Sequence, residues 1–232
     1  MLGHINIKFT LFLLSVLALS GCSNSLVVNA KFPKPVSEPI GITMGVVYSD
    51  ELKNYTYEEK EDERSKWKIG IGEAHQTLFE NVFEEMFANS QKLSTLEENS
   101  ANLDLVLFPT ISEFQYSSPR ETHSKIYEVW IKYNMQVYTG NGDLVADWIM
   151  SAYGKTPSAF LKSREDAMNQ AIVIALRDLG ASLVSGFTKV PEVKSWLEQK
   201  RAPQSDDTDT FEDESSGNQA ALLTLNRNHN FN

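Results

Sequence analysis

Few residues in this 232-residue chain have the type and spacing for chemistry. There is one thiol, Cys22. A single cysteine cannot close an internal disulfide, so it is available only as a nucleophile or for pairing between molecules. The histidines His4, His75, His123 and His229 have no second ligand at metal spacing. The last three read as surface side chains, and no metal or cofactor is expected. Gly70-Ile71-Gly72 lacks the third glycine of a dinucleotide loop and reads as a structural turn. Glu84 and Glu85, or Glu61, Asp62 and Glu63, are adjacent carboxylates without a cleft in view, and read as solvated faces. No serine sits in a Gly-x-Ser-x-Gly context. The expectation is a protein without catalytic residues. Trp130 and Tyr138 differ from the rest: both fall on the otherwise polar side of an alternating strand, where large aromatics commonly mark a contact site.

Cys22 has a specific context. Lys8 and the amino terminus make a short positive region, Phe9 to Leu19 is an apolar run of eleven residues, and Leu19-Ser20-Gly21-Cys22 follows. The run is shorter than the roughly 20 apolar residues of a spanning helix and suits a signal peptide. LSGC resembles the lipobox of bacterial lipoproteins. The resemblance implies a diacylglycerol on the Cys22 sulfur, cleavage just before Cys22, and a further acyl chain on the new amino group. Two or three chains suffice for stable anchoring, at about 0.8 kcal/mol per buried CH₂. Ser23, where enterobacterial sorting would read an Asp as inner-membrane retention, implies the outer membrane, periplasmic face.

The remaining composition narrows the partners. Residues 1–21 contain one charged side chain, Lys8, so cleavage takes the net charge from −10 to −11. Phosphate backbones select clustered Lys and Arg, so nucleic acid is not an expected partner. Four segments are expected: signal peptide 1–21, lipidated tether 22–38, one periplasmic domain 39–200, and an acidic tail 201–232 too poor in apolar groups to offset its ordering entropy. The tether is expected to hold the domain off the membrane.

Positioning falls to the elements between. Ser25 to Pro35 reads as a linker with one edge strand at most, Ile40 to Tyr48 as a strand, Leu52 to Glu63 as a loop or ragged edge strand, and Trp67 to Ile71 as a short strand. Gly72 to Ala88 is an amphipathic helix, with Ala74, Leu78, Val82 and Met86 in one row and Phe79, Phe83 and Phe87 beside it. Asn89 to Asn102 reads as a polar connector. Strands follow at 103–116, 126–138 and 144–153, the last two joined by the turn Thr139-Gly140-Asn141-Gly142-Asp143. Tyr127, Val129, Ile131, Tyr133, Met135 and Val137 share one face; Leu144, Ala146, Trp148 and Met150 share a face of the returning strand. A long helix, capped by Ser163 with Asp166, buries Met168, Ile172, Ala175, Leu176, Leu179, Leu183 and Phe187, and one more turn at 191–197 docks Trp196.

The predicted class is α+β: an antiparallel sheet of four to five strands with two helices packed on one face. The Gly70–Glu73 entry to the first helix, the hairpin at Gly140 to Asp143 and the last helix ending before Pro191 resemble small periplasmic domains of the curli-secretion and exopolysaccharide-secretion accessory families and the amino-terminal domain of TolB. The resemblance covers residues 40–198. It implies a structural or assembly component of a cell-envelope complex, with envelope proteins as partners and a homo-oligomer compatible. A lipid- or glycolipid-handling module is the alternative, and a cell-wall enzyme a more distant one. A cavity between sheet and helices would favour lipid, whereas a filled core with an exposed aromatic patch would favour a protein partner.

Overall fold

The computed structural model describes residues 24–61, 63–98, 100–157 and 163–202. Cys22, most of the expected tail and the rest of the chain lie outside the described residues. Among the described residues eight strands fall into two sheets: β1 (Asn24–Val27), β2 (Ile40–Val47), β3 (Thr56–Glu58), β4 (Trp67–Gly70), β5 (Phe87–Leu93), β6 (Leu105–Ser117), β7 (Ile126–Thr139) and β8 (Leu144–Pro157). The helices are α1 (Asp50–Lys53), α2 (Gly72–Met86), α3 (Pro119–Thr122), α4 (Arg164–Gly186) and α5 (Pro191–Arg201). The main sheet has the order β5-β2-β6-β7-β8, and a smaller one the order β1-β4-β3.

The α+β class holds, and the main sheet has five strands. Its long part, β6-β7-β8, is the expected antiparallel meander. The other part is parallel: β2 runs alongside both β5 and β6 in the same direction, so the sheet is mixed. The extra strand is the segment expected as a connector. Only Phe87 and Leu93, at its two ends, are buried. An edge strand needs only its backbone to pair, so Phe-Ala-Asn-Ser-Gln-Lys-Leu carries no alternation from which a strand could be read.

β7 lies inside the meander and shows why its sequence alternates. Tyr127, Val129, Ile131, Tyr133, Met135 and Val137 are all buried towards the helices, while Trp130 and Lys132 are exposed on the other side. At the turn, Thr139 N–H donates to the Asp143 carbonyl (2.8 Å) and Gly142 N–H to the Thr139 carbonyl (2.9 Å). Gly142 has φ +93°, a conformation that costs glycine little. The pairing then slips by one residue, since Val137 faces Ala146 but Tyr138 faces Leu144. The extra residue, Val145, turns Leu144 away from Ala146 and leaves it 56% exposed, where the sequence suggested a shared face.

α2 and α4 cover the apolar side of the sheet. The Ser163 hydroxyl caps α4 by accepting from Asp166 N–H at 3.0 Å. Every residue of the expected stripe of α4, from Met168 to Phe187, is buried. Gly154 allows α4 to lie close on β8: a Cβ there would sit 2.0 Å from the Ala171 carbonyl oxygen and 2.4 Å from Ala175 N. α4 is long and apolar enough to cross a membrane, but half of its most apolar stretch is spent on the interior of this domain. Phe79, Phe83, Phe87 and Phe187 form a continuous aromatic column, with successive ring centroids 5.5, 5.9 and 5.3 Å apart. At α5, Val193 is fully buried and Trp196 only half-buried, so Val193 is the docking residue of those first turns.

Residues 24–37 are not a loose tether. β1 pairs with β4, and Val28 N–H donates to the Gly70 carbonyl at 2.9 Å. Residues 29–37 are then tied as a strap along the outside of α4 and α2. Asn29 N–H donates to Asn169 (3.2 Å), Asn81 to the Phe32 carbonyl (2.9 Å), and the Ser37 hydroxyl to the Glu85 carbonyl (3.3 Å). Lys34 bridges Glu84 and Glu85 at 3.1 and 3.0 Å, which gives those two carboxylates a structural partner.

Candidate functional site

The side of the sheet away from α2 and α4 is the face on which the sequence placed Trp130 and Tyr138. The β5–β6 connection has to cross β2 on this side. It brings Leu96 and Leu103 over Val47, Leu93, Val106, Phe108 and Tyr138 in a small second core. Tyr138 is therefore half-buried. Trp130 lies eight residues away on β7, about 26 Å at ~3.3 Å per residue, where no described element covers the sheet.

Trp130 is 38% exposed. Its cross-strand partner is Tyr153 of β8, and the two rings lie 5.1 Å apart at 36°. The Tyr153 hydroxyl donates to Glu128 at 2.6 Å, and this carboxylate, with some burial, pushes the phenol pKa up to about 12. On the other flank, Trp130 lies opposite Gln115 of β6. Gln115, Glu113 and Lys132 join in one network, in which the Lys132 ammonium holds the Glu113 carboxyl below the usual carboxylate range. With Trp130 these three line a shallow depression of about 160 Å³. Ile149, 59% exposed, continues the face along β8. The result is a flat aromatic platform bordered on one flank by the Glu113–Lys132 ion pair and on the other by Glu128. Cross-strand stacking limits the motion of both rings, so little side-chain entropy remains to be lost when they are covered.

Tyr153 escaped the sequence reading. Its signal was the hairpin register: counting back from Tyr138 opposite Leu144 sets Trp130 against Ala152, and only the extra residue Val145 brings Tyr153 into place.

His75 was expected at the surface and is instead fully buried on α2. Its Nε2 meets the Tyr133 hydroxyl at 2.6 Å, and the rings meet edge to face at 5.5 Å. Burial lowers its pKa to about 3, and the Ile71 carbonyl, which favours the charged form, offsets this only in part. It is a neutral core histidine. The helical spacing carried the signal: His75 lies four residues before Phe79, at the head of the buried Phe79–Phe83–Phe87 row. His123 is exposed, in the left-handed region (φ 55°), and ends α3; His229 lies outside the described residues. Among the described residues no three His, Cys, Asp or Glu side chains gather as metal ligands would.

The space between sheet and helices is filled by Leu105, Leu107, Ile131, Tyr133, Met135 and the aromatic column. An apolar groove of about 380 Å³ lies instead on the outer side of the helix pair, between Phe32, Pro33 and Pro35 of the strap and Leu78, Val82 and Val184.

No family model matches the chain, and no curated protein matches it. Among solved structures it is similar to a protein from Xanthomonas campestris at 12% identity and TM-score 0.46, over 75% of this chain and 95% of that one. It is similar to a minor lipoprotein from Acinetobacter baumannii at 9% identity and TM-score 0.38, over 66% and 94%. It is also similar to a PelC dodecamer from Paraburkholderia phytofirmans at 15% identity and TM-score 0.32, over 64% and 95%.

Proposed function

We propose that this chain is a lipid-anchored accessory component of a bacterial cell-envelope complex: acylated on Cys22, held at the periplasmic face of the outer membrane, and acting by contact rather than catalysis. The observation that carries the contact role is the Trp130–Tyr153 platform, a preordered aromatic pair on an uncovered sheet face beside the Glu113–Lys132 ion pair. Interface hot spots favour Trp and Tyr in such settings. The filled core beneath it supports a protein partner over a ligand held between sheet and helices. The test is a Trp130→Ser chain in which folding and partner recovery are both measured. Ring loss at a hot spot costs about 2 kcal/mol or more of binding, roughly a 30-fold fall in affinity. Unchanged recovery of cross-linked envelope proteins from membranes would remove the platform from the contact role. The outer groove supports a second reading, lipid handling. In that case Val82→Glu would abolish uptake of a fluorescent fatty acid, with Trp130→Ser leaving it intact.

A further inference from the structure

We infer that one end of the domain, formed by the 59–66 loop, α3 with its flanking turns, and the start of α4, rests directly on the headgroups of the bilayer that holds the Cys22 acyl chains. The inference relies on lipidation of Cys22 and adds an orientation to it.

The argument is one of reach. Cys22 is two residues from Asn24, and a chain spans at most about 3.3–3.6 Å per residue, so the acylated residue lies within about 7 Å of Asn24. Asn24 is fixed. Its N–H and its side-chain amide both donate to the Lys66 carbonyl, at 2.9 and 3.2 Å, and β1 continues in register against Trp67 to Gly70. The strap hydrogen bonds to Asn169, Asn81 and Glu85 hold the following residues against α4 and α2. Thus the domain cannot stand away from the membrane on a flexible spacer.

The fixed residue marks the end that faces the lipid. Ser65, next to Lys66, donates its N–H to Glu121 of α3 (3.1 Å), and Tyr116 donates its hydroxyl to the Ser65 carbonyl (2.6 Å). Trp67, opposite Asn24, packs edge to face on Tyr127 at the start of β7, 6.5 Å between centroids. Asn24 therefore lies at the Ile126 end of β7. The 139–143 turn lies at the other, about 40 Å away for a strand of this length at ~3.3 Å per residue. At the near end Lys60, Arg64, Lys66, Arg120, Lys125 and Arg164 nearly offset the acidic side chains, in a chain whose net charge is −10. Approach to phosphate headgroups is thus not opposed as it would be on an acidic face. Trp130, four residues from Ile126, lies only about 13 Å from this end, within reach of a partner itself seated in the membrane.

The test uses the full mature chain reconstituted in phosphatidylethanolamine–phosphatidylglycerol vesicles containing a nitroxide-headgroup lipid. With the Cys22 sulfur acylated, Lys125→Cys or Asn141→Cys supplies the sole reactive thiol for a fluorophore. The nitroxide is expected to quench the label at 125 several-fold more than the label at 141. Equal or reversed quenching on a chain whose mass shows acylation overturns the orientation alone. A chain lacking the acyl mass overturns the lipid anchor, and the orientation with it. A twelve-residue Gly-Ser insertion after Ser23 is expected to bring the two labels together; a difference that survives it would overturn the short tether as the cause.

Discussion

His75 offers a direct measurement of how completely α2 is sealed against β7. Its side chain is fully buried, and desolvation lowers its pKa from 6.5 to about 3. The unfolded chain binds a proton at this residue below pH 6.5 and the folded chain does not. The contribution to stability is therefore fully present above pH 6.5 and is lost as the pH falls towards 3. Between pH 7 and pH 5 the unfolded state gains about 1.5 pH units of protonation below its pKa, which at 1.36 kcal/mol per unit is about 2 kcal/mol. Glu58 and Glu113, whose hydrogen-bonded lysines hold them below the usual carboxylate range, act mainly below pH 4.5, outside this window. The assay is urea unfolding of residues 22–232, produced without the signal peptide and carrying Cys22→Ser, at pH 7 and pH 5, with and without His75→Gln. The His75→Gln chain keeps a polar partner for Tyr133 but cannot charge, so its stability should vary about 2 kcal/mol less across the window. Equal pH dependence in the two chains would mean that water reaches His75 and that α2 is not packed on β7 as described.

Four further outcomes are expected. Leu179→Ala removes a fully buried side chain of α4 and should lower stability by roughly 2–5 kcal/mol in the same unfolding assay. Gly154→Ala places a methyl group against the backbone of α4 at Ala171 and Ala175 and should cost roughly 1–3 kcal/mol, whereas Gly41→Ala, with open space around it, should cost far less. Cys22→Ser should leave an uncleaved, unacylated precursor, seen as a heavier band and a missing acyl mass. Ser23→Asp should move the mature chain to the inner-membrane fraction of a density gradient, and unchanged fractionation would show that enterobacterial sorting does not apply.

The sequence by itself determined what local pattern can encode. The lipobox-like LSGC at Cys22 is read from contiguous residues. The alternation of β7, the stripes of α2 and α4 and the 139–143 turn follow from periods of 2 and 3.6 and from the glycines, because each of those elements buries one face only. What tertiary structure decided was whatever depends on neighbours distant in the chain. β5 is a strand only because β2 offers it an edge, and its polar side chains say nothing of that. Parallel pairing of β2 follows from the crossover connections on its two sides. The hydrogen bond that satisfies the buried His75 comes from Tyr133, 58 residues away. The candidate site changed most. Trp130 was legible as an aromatic on a polar face, but Tyr138 is half-covered by the β5–β6 crossover, and Tyr153 takes its place through a one-residue slip at Val145. A strand's period fixes which side a residue faces; register and covering loops, which are set by hydrogen bonds between strands, decide which residues stand together and whether solvent reaches them.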